Sequence, residues 1–343
     1  MDIGQKKIRS VVRRDHAEDY ILISLVAFAL TVILTRVGLQ LAGFPQLGNS
    51  VLHIAHALWG GLLLFVAVLL PLAWANRWAL QASALLSGLG IGLFIDEVGK
   101  FITQTNDYFF PPALALIYGF FLLNVFVYLL FRRPQKDDPR KALYHAFEGL
   151  QDLLDGDLDS EEAARIENQL AIAVGSGREE IAALAKTLST YLHDENLHLV
   201  VAELDNWKRI VAWVDAIGQR LGRRTHRVII SIVMILWLVF VIGFISVLIL
   251  RIPTVTGQVI QWRIPLIAVQ VVIGILMLVA LIAWLVRNEE LGLKLAISAF
   301  VISLVAIQMQ YFYISQFSAI TATLIQLVLL LILLSYRRWY LRD

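Results

Sequence analysis

Two adjacent carboxylates, Asp96 and Glu97, lie near the end of an apolar stretch, 78–102, that is long enough to span a bilayer. Lys100 follows one helical turn after Asp96, at a spacing that favours an ion pair with it. Acidic side chains inside a membrane span are costly unless they are paired, hydrated, protonated or bound to a metal. The sequence therefore predicts a functional polar site at this end of the third apolar stretch.

Two histidines, His53 and His56, lie at the start of the preceding apolar stretch, 51–75, and their spacing places both on one helix face. Two imidazoles and a carboxylate suit zinc or iron, with one coordination position open for water. We therefore predict a divalent-metal site formed by His53, His56 and one of Asp96 and Glu97, the other acid serving as catalytic base. The alternative is a pair of ordinary histidines at a hydrated helix end.

Arg36 lies late in the first apolar stretch, 20–42. Arg36 and Lys100 are candidates for holding an anionic group of a substrate, or for extending to the lipid headgroups. Glu97 points about 100° away from Asp96 around a helix, so we expect it to pair with Arg36 or with a histidine. An alternative role for the two acids is an ion-pair cluster with Lys100 and Arg36 that holds the helices together.

The composition is that of an integral membrane protein. Of 343 residues, 59% are hydrophobic and only 16% are charged, and the mean hydropathy is +0.72. The absence of cysteine excludes disulfides, thiol catalysis and zinc–thiolate sites. We predict an all-α polytopic bundle of about eight transmembrane helices, over 20–42, 51–75, 78–102, 111–131, 228–250, 264–286, 291–314 and 317–336.

A charged segment divides these stretches into two groups of four. It is too polar to span a bilayer, and apolar residues recur in it at helical spacing over 142–154, 163–174, 181–192 and 197–221. Ser160, followed by two glutamates, is predicted to cap a helix there. The predicted organisation is a basic N-terminus 1–19, helices one to four 20–131, a soluble helical domain 132–224, helices five to eight 225–336 and a tail 337–343.

The distribution of lysine and arginine predicts the topology, because cytoplasmic loops of membrane proteins are enriched in both. It places the N-terminus, the helical domain and the C-terminus in the cytoplasm of a plasma (inner) membrane protein, with the first apolar stretch retained as a span and not cleaved as a signal peptide. All the candidate site residues then lie within roughly 10 Å of the outer boundary. This shared depth is the main argument for one site.

Glycines give the third stretch a face for close packing. Gly88, Gly92, Asp96 and Gly99 share one face of a helix, and glycines at this spacing let a neighbouring backbone approach closely. Asp96 is therefore expected to point into the bundle and not toward lipid.

The intramembrane histidines and acids resemble those of the alkaline-ceramidase and adiponectin-receptor group of membrane hydrolases. That group uses a further histidine pair in a late helix, and this chain has no histidine after residue 228. The resemblance is one of chemistry, and it assigns no role to particular residues.

Three functions are compatible with these features. The first is metal-dependent hydrolysis of a lipid or lipid-linked substrate, because the site lies at headgroup depth. The second is proton- or cation-coupled transport, for which Asn124 and a few glutamines are the only further polar residues of a path. The third is a non-catalytic scaffold or sensor that signals to a protein partner through the cytoplasmic helical domain. No nucleic-acid partner is expected.

Overall fold

A computed structural model of the chain describes residues 11–43, 55–133, 138–156, 158–192, 216, 222–250, 258–314 and 316–341. Within these residues it has thirteen α-helices, one π-helical segment and no strand. Eight helical segments are long and apolar enough to cross a membrane, which confirms the predicted all-α polytopic bundle. The helices are α1 Ala17–Leu41, α2 His56–Ala73, α3 Arg77–Asp96, α4 Val98–Ile102, α5 Pro111–Phe131, α6 Pro139–Asp155, α7 Ser160–Val174, α8 Glu179–Leu192, α9 Gly222–Leu250, α10 Gln258–Leu285, α11 Glu289–Ile302, α12 Gln308–Ile314 and α13 Gln316–Tyr340.

Two local details differ from the sequence-based expectation. The third apolar stretch is not one helix, because α3 ends at Asp96 and Glu97 leaves helical geometry with φ −88° and ψ 9° before α4 begins. The N-cap residue of α7 is Asp159, one residue before the predicted Ser160. The Asp159 side chain accepts from the backbone N–H groups of Glu161 and Glu162, and the Glu162 side chain accepts in return from the N–H of Asp159.

The chain divides into two compact units, which are described separately. The first contains the described residues up to Glu97 and those of 123–192, and the second contains 98–122 and the described residues from 216 onward.

In the first unit, α3 packs against both α1 and α2. Glycines make this packing close. A Cβ atom added at Gly88 would lie 2.3 Å from the carbonyl oxygen of Ser24 on α1, and one added at Gly92 would lie 2.6 Å from Cβ of Thr31. On the α2 side, a Cβ added at Gly60 would lie 2.6 Å from the carbonyl oxygen of Gly90. The predicted glycine contacts of the third helix are therefore present, and they extend to α2.

Helices α6, α7 and α8 form a small bundle, which we call the helical insert. Its core consists of small and aliphatic side chains from all three helices and the α6–α7 turn, including Leu143, Leu158, Ile166, Leu170 and Ala185. This confirms the three helices predicted over 142–192. The predicted fourth helix, 197–221, lies outside the described residues except for residue 216.

The helical insert is attached to the turn between α2 and α3. The guanidinium of Arg77 contacts Asp152 on α6 and lies 3.2 Å from Glu162 on α7, and the side-chain amide of Asn76 donates to Asp155 at 2.9 Å. The insert therefore lies at the start of α3. The 20 residues of α3 separate it by about 30 Å from the end at Asp96.

In the second unit, helices α9 to α13 pack around a core that includes Trp284, Phe300 and Tyr336. A π-helical segment, Ser303–Ile307, joins α11 to α12, and its Leu304 carbonyl accepts from the Tyr118 hydroxyl at 2.8 Å. Two of the predicted intramembrane glutamines, Gln308 and Gln326, form a buried hydrogen bond with each other at 2.8 Å.

Candidate functional site

Arg36 and Asp96 form the innermost part of the site. Nε of Arg36 lies 2.6 Å from Oδ1 of Asp96, and the two side chains are 1% and 0% exposed. Nη2 of Arg36 also donates to the backbone carbonyl of Asp96 at 3.0 Å. Because Asp96 is the last residue of α3, the guanidinium satisfies a carbonyl that has no partner within the helix. The cation also lies at the negative end of the α3 dipole, where positive charge is stabilised.

His56, the first residue of α2, lies between the two acids. Its Nε2 is 3.0 Å from Oδ2 of Asp96, and its Nδ1 is 3.3 Å from Oε1 of Glu97. Carboxylates accept hydrogen bonds, so a protonated imidazole donates to both, whereas a neutral imidazole donates to only one. The His56 side chain is 23% exposed, against 1% for Glu97. His56 is therefore the most accessible of these four side chains.

Glu97 also contacts the start of α2. Its Oε2 accepts from the backbone N–H of Ala57 at 3.4 Å. Ala57 is in the first turn of α2, whose N-cap residue Ala55 provides no side-chain hydrogen bond. A carboxylate at this position satisfies a free N–H group and is stabilised by the positive end of the helix dipole. Glu97 can take this position because α3 ends one residue earlier.

These four residues, Arg36, His56, Asp96 and Glu97, are called the His56 network from here on. The structure brings them together as the sequence predicted, and the expected pairing of Glu97 with a histidine is confirmed. One alternative was wrong: Arg36 does not extend to the headgroups, because its side chain is buried against Asp96.

The structure does not describe one of the other two candidate residues, and it assigns the second to the other unit. His53 lies outside the described residues, so the predicted metal site of His53, His56 and Asp96 stays a prediction. Among the described residues, no group of three or more histidine, aspartate and glutamate side chains is arranged to hold a metal. Lys100 belongs to the second unit, where its ammonium lies 5.5 Å from the centre of the Tyr108 ring. The expected Asp96–Lys100 pair and a substrate-anion role for Arg36 and Lys100 stay predictions too.

The His56 network contains one guanidinium, one imidazole and two carboxylates. The side chains of Asp96 and Glu97 are 0% and 1% exposed. Buried charge is costly unless it is compensated. An added positive charge at His56, whether a proton or part of the charge of a metal ion, strengthens its contacts with both carboxylates.

Sequence reasoning missed the contacts that attach the helical insert. In the sequence, Arg77 is one of the basic residues whose distribution predicts the topology, yet its side chain contacts both Asp152 and Glu162. The only sequence signal was a basic residue in a very short turn between two spans. The acids that it contacts lie 75 and 85 positions later in the chain, beyond the reach of local patterns.

Replacing Arg77 by methionine is expected to loosen the helical insert. The Arg77 side chain is 28% exposed, so we expect a loss of about 1–2 kcal/mol, between the values of exposed and buried ion pairs. Hydrogen–deuterium exchange should become faster in α6 and α7. Arg77→Lys keeps the charge and should retain part of the protection, and unchanged exchange in Arg77→Met would contradict a role in attachment.

A scan against models of protein families, a search of curated proteins and a search of solved structures each found no match to this chain.

Proposed function

We propose that the protein is a membrane sensor in which a cation taken up at the His56 network changes the packing of the helical insert on the other side of the membrane. One observation carries this proposal. His56 contacts the carboxylates of Asp96 and Glu97 at the end of α3. Arg77, at the start of α3, contacts the insert. A single helix therefore joins a site of buried carboxylates to a polar helical bundle.

A cation is the ligand that suits the charges of the network. The carboxylate oxygens of Asp96 are already engaged by Arg36 and His56. His56 is the partly exposed member, so an incoming cation reaches the network there. Following the positive-inside distribution, we place the network on the outer side and the insert in the cytoplasm.

Helix α3 is suited to carry a displacement. Its contacts with α1 and α2 involve glycines at which an added Cβ would meet backbone atoms at 2.3–2.8 Å, so the three helices cannot easily slide independently. A ligand shifts such a bundle between two arrangements only by binding one of them more tightly. An added cation strengthens the contact between His56 and the carboxylates. The cation therefore binds more tightly to the arrangement in which this contact is made.

Hydrogen–deuterium exchange of the full chain in lipid nanodiscs tests the proposal. Exchange in α6 and α7 is compared with and without Zn²⁺ at constant pH, and between about pH 5 and about pH 8, the range over which imidazole changes charge. We expect exchange in the insert to respond to at least one of these cations. We also expect His56→Gln to lose most of that response.

Two controls make the result specific. His226→Gln removes an imidazole from the second unit and should keep the response. His145 belongs to α6 and His16 contacts Arg165 on α7, so only the part of the response lost in His56→Gln belongs to the network. A full response in His56→Gln, or none in the native chain, would refute the sensor.

Metal-dependent hydrolysis of a lipid or lipid-linked substrate remains the second candidate. It is favoured by the contact of one imidazole with two carboxylates, which is part of a metal-ligand set. Elemental analysis of the purified protein, repeated on His53→Ala and Asp96→Ala, tests it. We expect bound zinc or iron in the native protein and its loss in both variants if this candidate holds, and no metal in the native protein would exclude it.

A flux measurement distinguishes coupled transport from the sensor and from the hydrolase. Proton or cation flux into liposomes that is abolished by Glu97→Gln would favour a transporter, whereas a sensor predicts no flux above that of empty liposomes.

A further inference from the structure

A second charged region lies at the opposite end of the first unit from the His56 network. It is an open cleft of about 250 Å³ between the segment before α1, the end of α5 and the start of α6. Five of its lining residues are basic, and they come from all three parts: Arg13, Arg14, Arg132, Arg133 and Lys141. We call this region the basic cleft.

Two of these cations are already engaged. Arg13 donates to the backbone carbonyls of Phe131 and Arg133, so it caps the end of α5. Arg14 lies 3.5 Å from Glu148. Asp138, one of the acids in the cleft, accepts from the backbone N–H of Arg140 and caps α6.

Three cations of the basic cleft have no ion-pair partner among the described residues. They are Arg132, Arg133 and Lys141, and the acids that line the cleft, Asp15, Glu18 and Asp138, do not lie within ion-pair distance of them. Several cations that converge on one concave surface repel each other, and a multivalent anion relieves that repulsion. The start of α6, a helix of 17 residues, adds the positive end of its dipole to the same cleft.

The position of the basic cleft indicates the source of the anion. Phe131 ends the candidate span α5 and Ala17 begins the candidate span α1, so the cleft lies where two apolar helices meet their first charged residues. This is the depth of lipid headgroups, and basic pockets at that depth bind anionic headgroups. Arginine pairs with phosphate oxygens through two parallel hydrogen bonds.

From this geometry we infer that the basic cleft is a phosphate-binding site, with Arg132, Arg133 and Lys141 as the residues that bind the phosphate. The ligand is a phosphate ester, either the headgroup of an anionic phospholipid or a small soluble phosphate. This inference does not depend on the proposed sensor function.

Native mass spectrometry of the full chain in detergent tests the inference. Retention of phosphatidylglycerol is compared with retention of phosphatidylcholine for the native chain and for Arg132→Gln/Arg133→Gln. We expect the native chain to prefer phosphatidylglycerol and the double variant to bind it about thirtyfold more weakly, because the variant loses two cations near the headgroups.

A matched control variant loses two positive charges at a site outside the basic cleft. Arg337→Gln/Arg338→Gln removes two exposed arginines at the end of α13, another membrane border, and should leave retention nearly unchanged. Arg132→Lys/Arg133→Lys keeps both charges and should retain most of the binding. Equal losses in the two glutamine variants would mean general attraction to anionic lipid and would overturn the inference, as would no loss in either.

A competition arm identifies the source of the phosphate. Glycerol 3-phosphate is added to the native chain loaded with phosphatidylglycerol. Displacement of the lipid at concentrations near those of the protein supports a soluble phosphate ligand, and retention of the lipid supports a headgroup site. If the native chain binds neither compound in preference to phosphatidylcholine, the basic cleft is not a phosphate site.

Discussion

Replacing Arg36 by methionine is expected to destabilise the first unit by about 3–5 kcal/mol, the range found when one partner of a buried ion pair is removed. The reason is the burial of Asp96, which is 0% exposed and would lose the guanidinium at 2.6 Å. The carbonyl at the end of α3 would lose a donor as well. Thermal unfolding of the purified protein in detergent measures the change.

Two comparisons make the Arg36 result interpretable. Arg178→Met removes a surface arginine whose nearest carboxylate, on Glu180, is 3.8 Å away, and it should change stability by less than about 0.5 kcal/mol. Arg36→Met/Asp96→Met removes both charges, so it should be more stable than Arg36→Met alone. A loss below about 1 kcal/mol in Arg36→Met would contradict a buried ion pair.

Two neighbouring glycines of α2 are expected to respond to alanine with opposite signs. A Cβ atom at Gly60 would lie 2.6 Å from the carbonyl oxygen of Gly90 and 2.8 Å from the backbone nitrogen of Phe94. Backbone atoms cannot move aside without separating the helices, so Gly60→Ala should cost about 1–3 kcal/mol or more. A Cβ at Gly61 meets nothing within 4 Å, and Gly61→Ala should stabilise the helix by up to about 1 kcal/mol.

The glycine pair also tests the coupling between packing and site. Gly60 lies one turn after His56 on α2, so displacing the helix at Gly60 should move the imidazole away from Asp96 and Glu97. We therefore expect Gly60→Ala, and not Gly61→Ala, to reduce the cation response of the insert. Equal unfolding temperatures for the two variants would contradict the close α2–α3 contact.

The His56 network shows how two helix ends and a pair of acids support each other. Arg36 neutralises the end of α3, and Glu97 neutralises the start of α2, while His56 touches both acids. The ion-pair cluster that the sequence raised as an alternative is therefore present for Arg36 and Asp96. The part of Lys100 in it stays a prediction. A structural role and a sensory role are compatible, because a site whose charges hold three helices is also a site at which an added charge can move them.

The sequence by itself determined the fold class, the approximate bounds of the apolar helices and the position of ionisable groups near the ends of three of them. These follow from local properties: apolar stretches of bilayer length, charges at their ends and glycines at helical spacing. Asp96 could be directed into the bundle because Gly88 and Gly92 share its helix face. For Glu97 the sequence left Arg36 and a histidine as alternative partners, and the structure shows a contact with His56.

Only the tertiary structure decided which groups touch. Arg36 and Asp96 are 60 positions apart in the chain, and His56 and Asp96 are 40 apart, so their contacts depend on how the helices pack laterally. Depth alone made Arg36 equally suited to a headgroup or an acid, and packing buried it against Asp96. The ion pairs of Arg77 with the insert have the same origin, because hydropathy and helical periodicity carry no information about partners on distant segments.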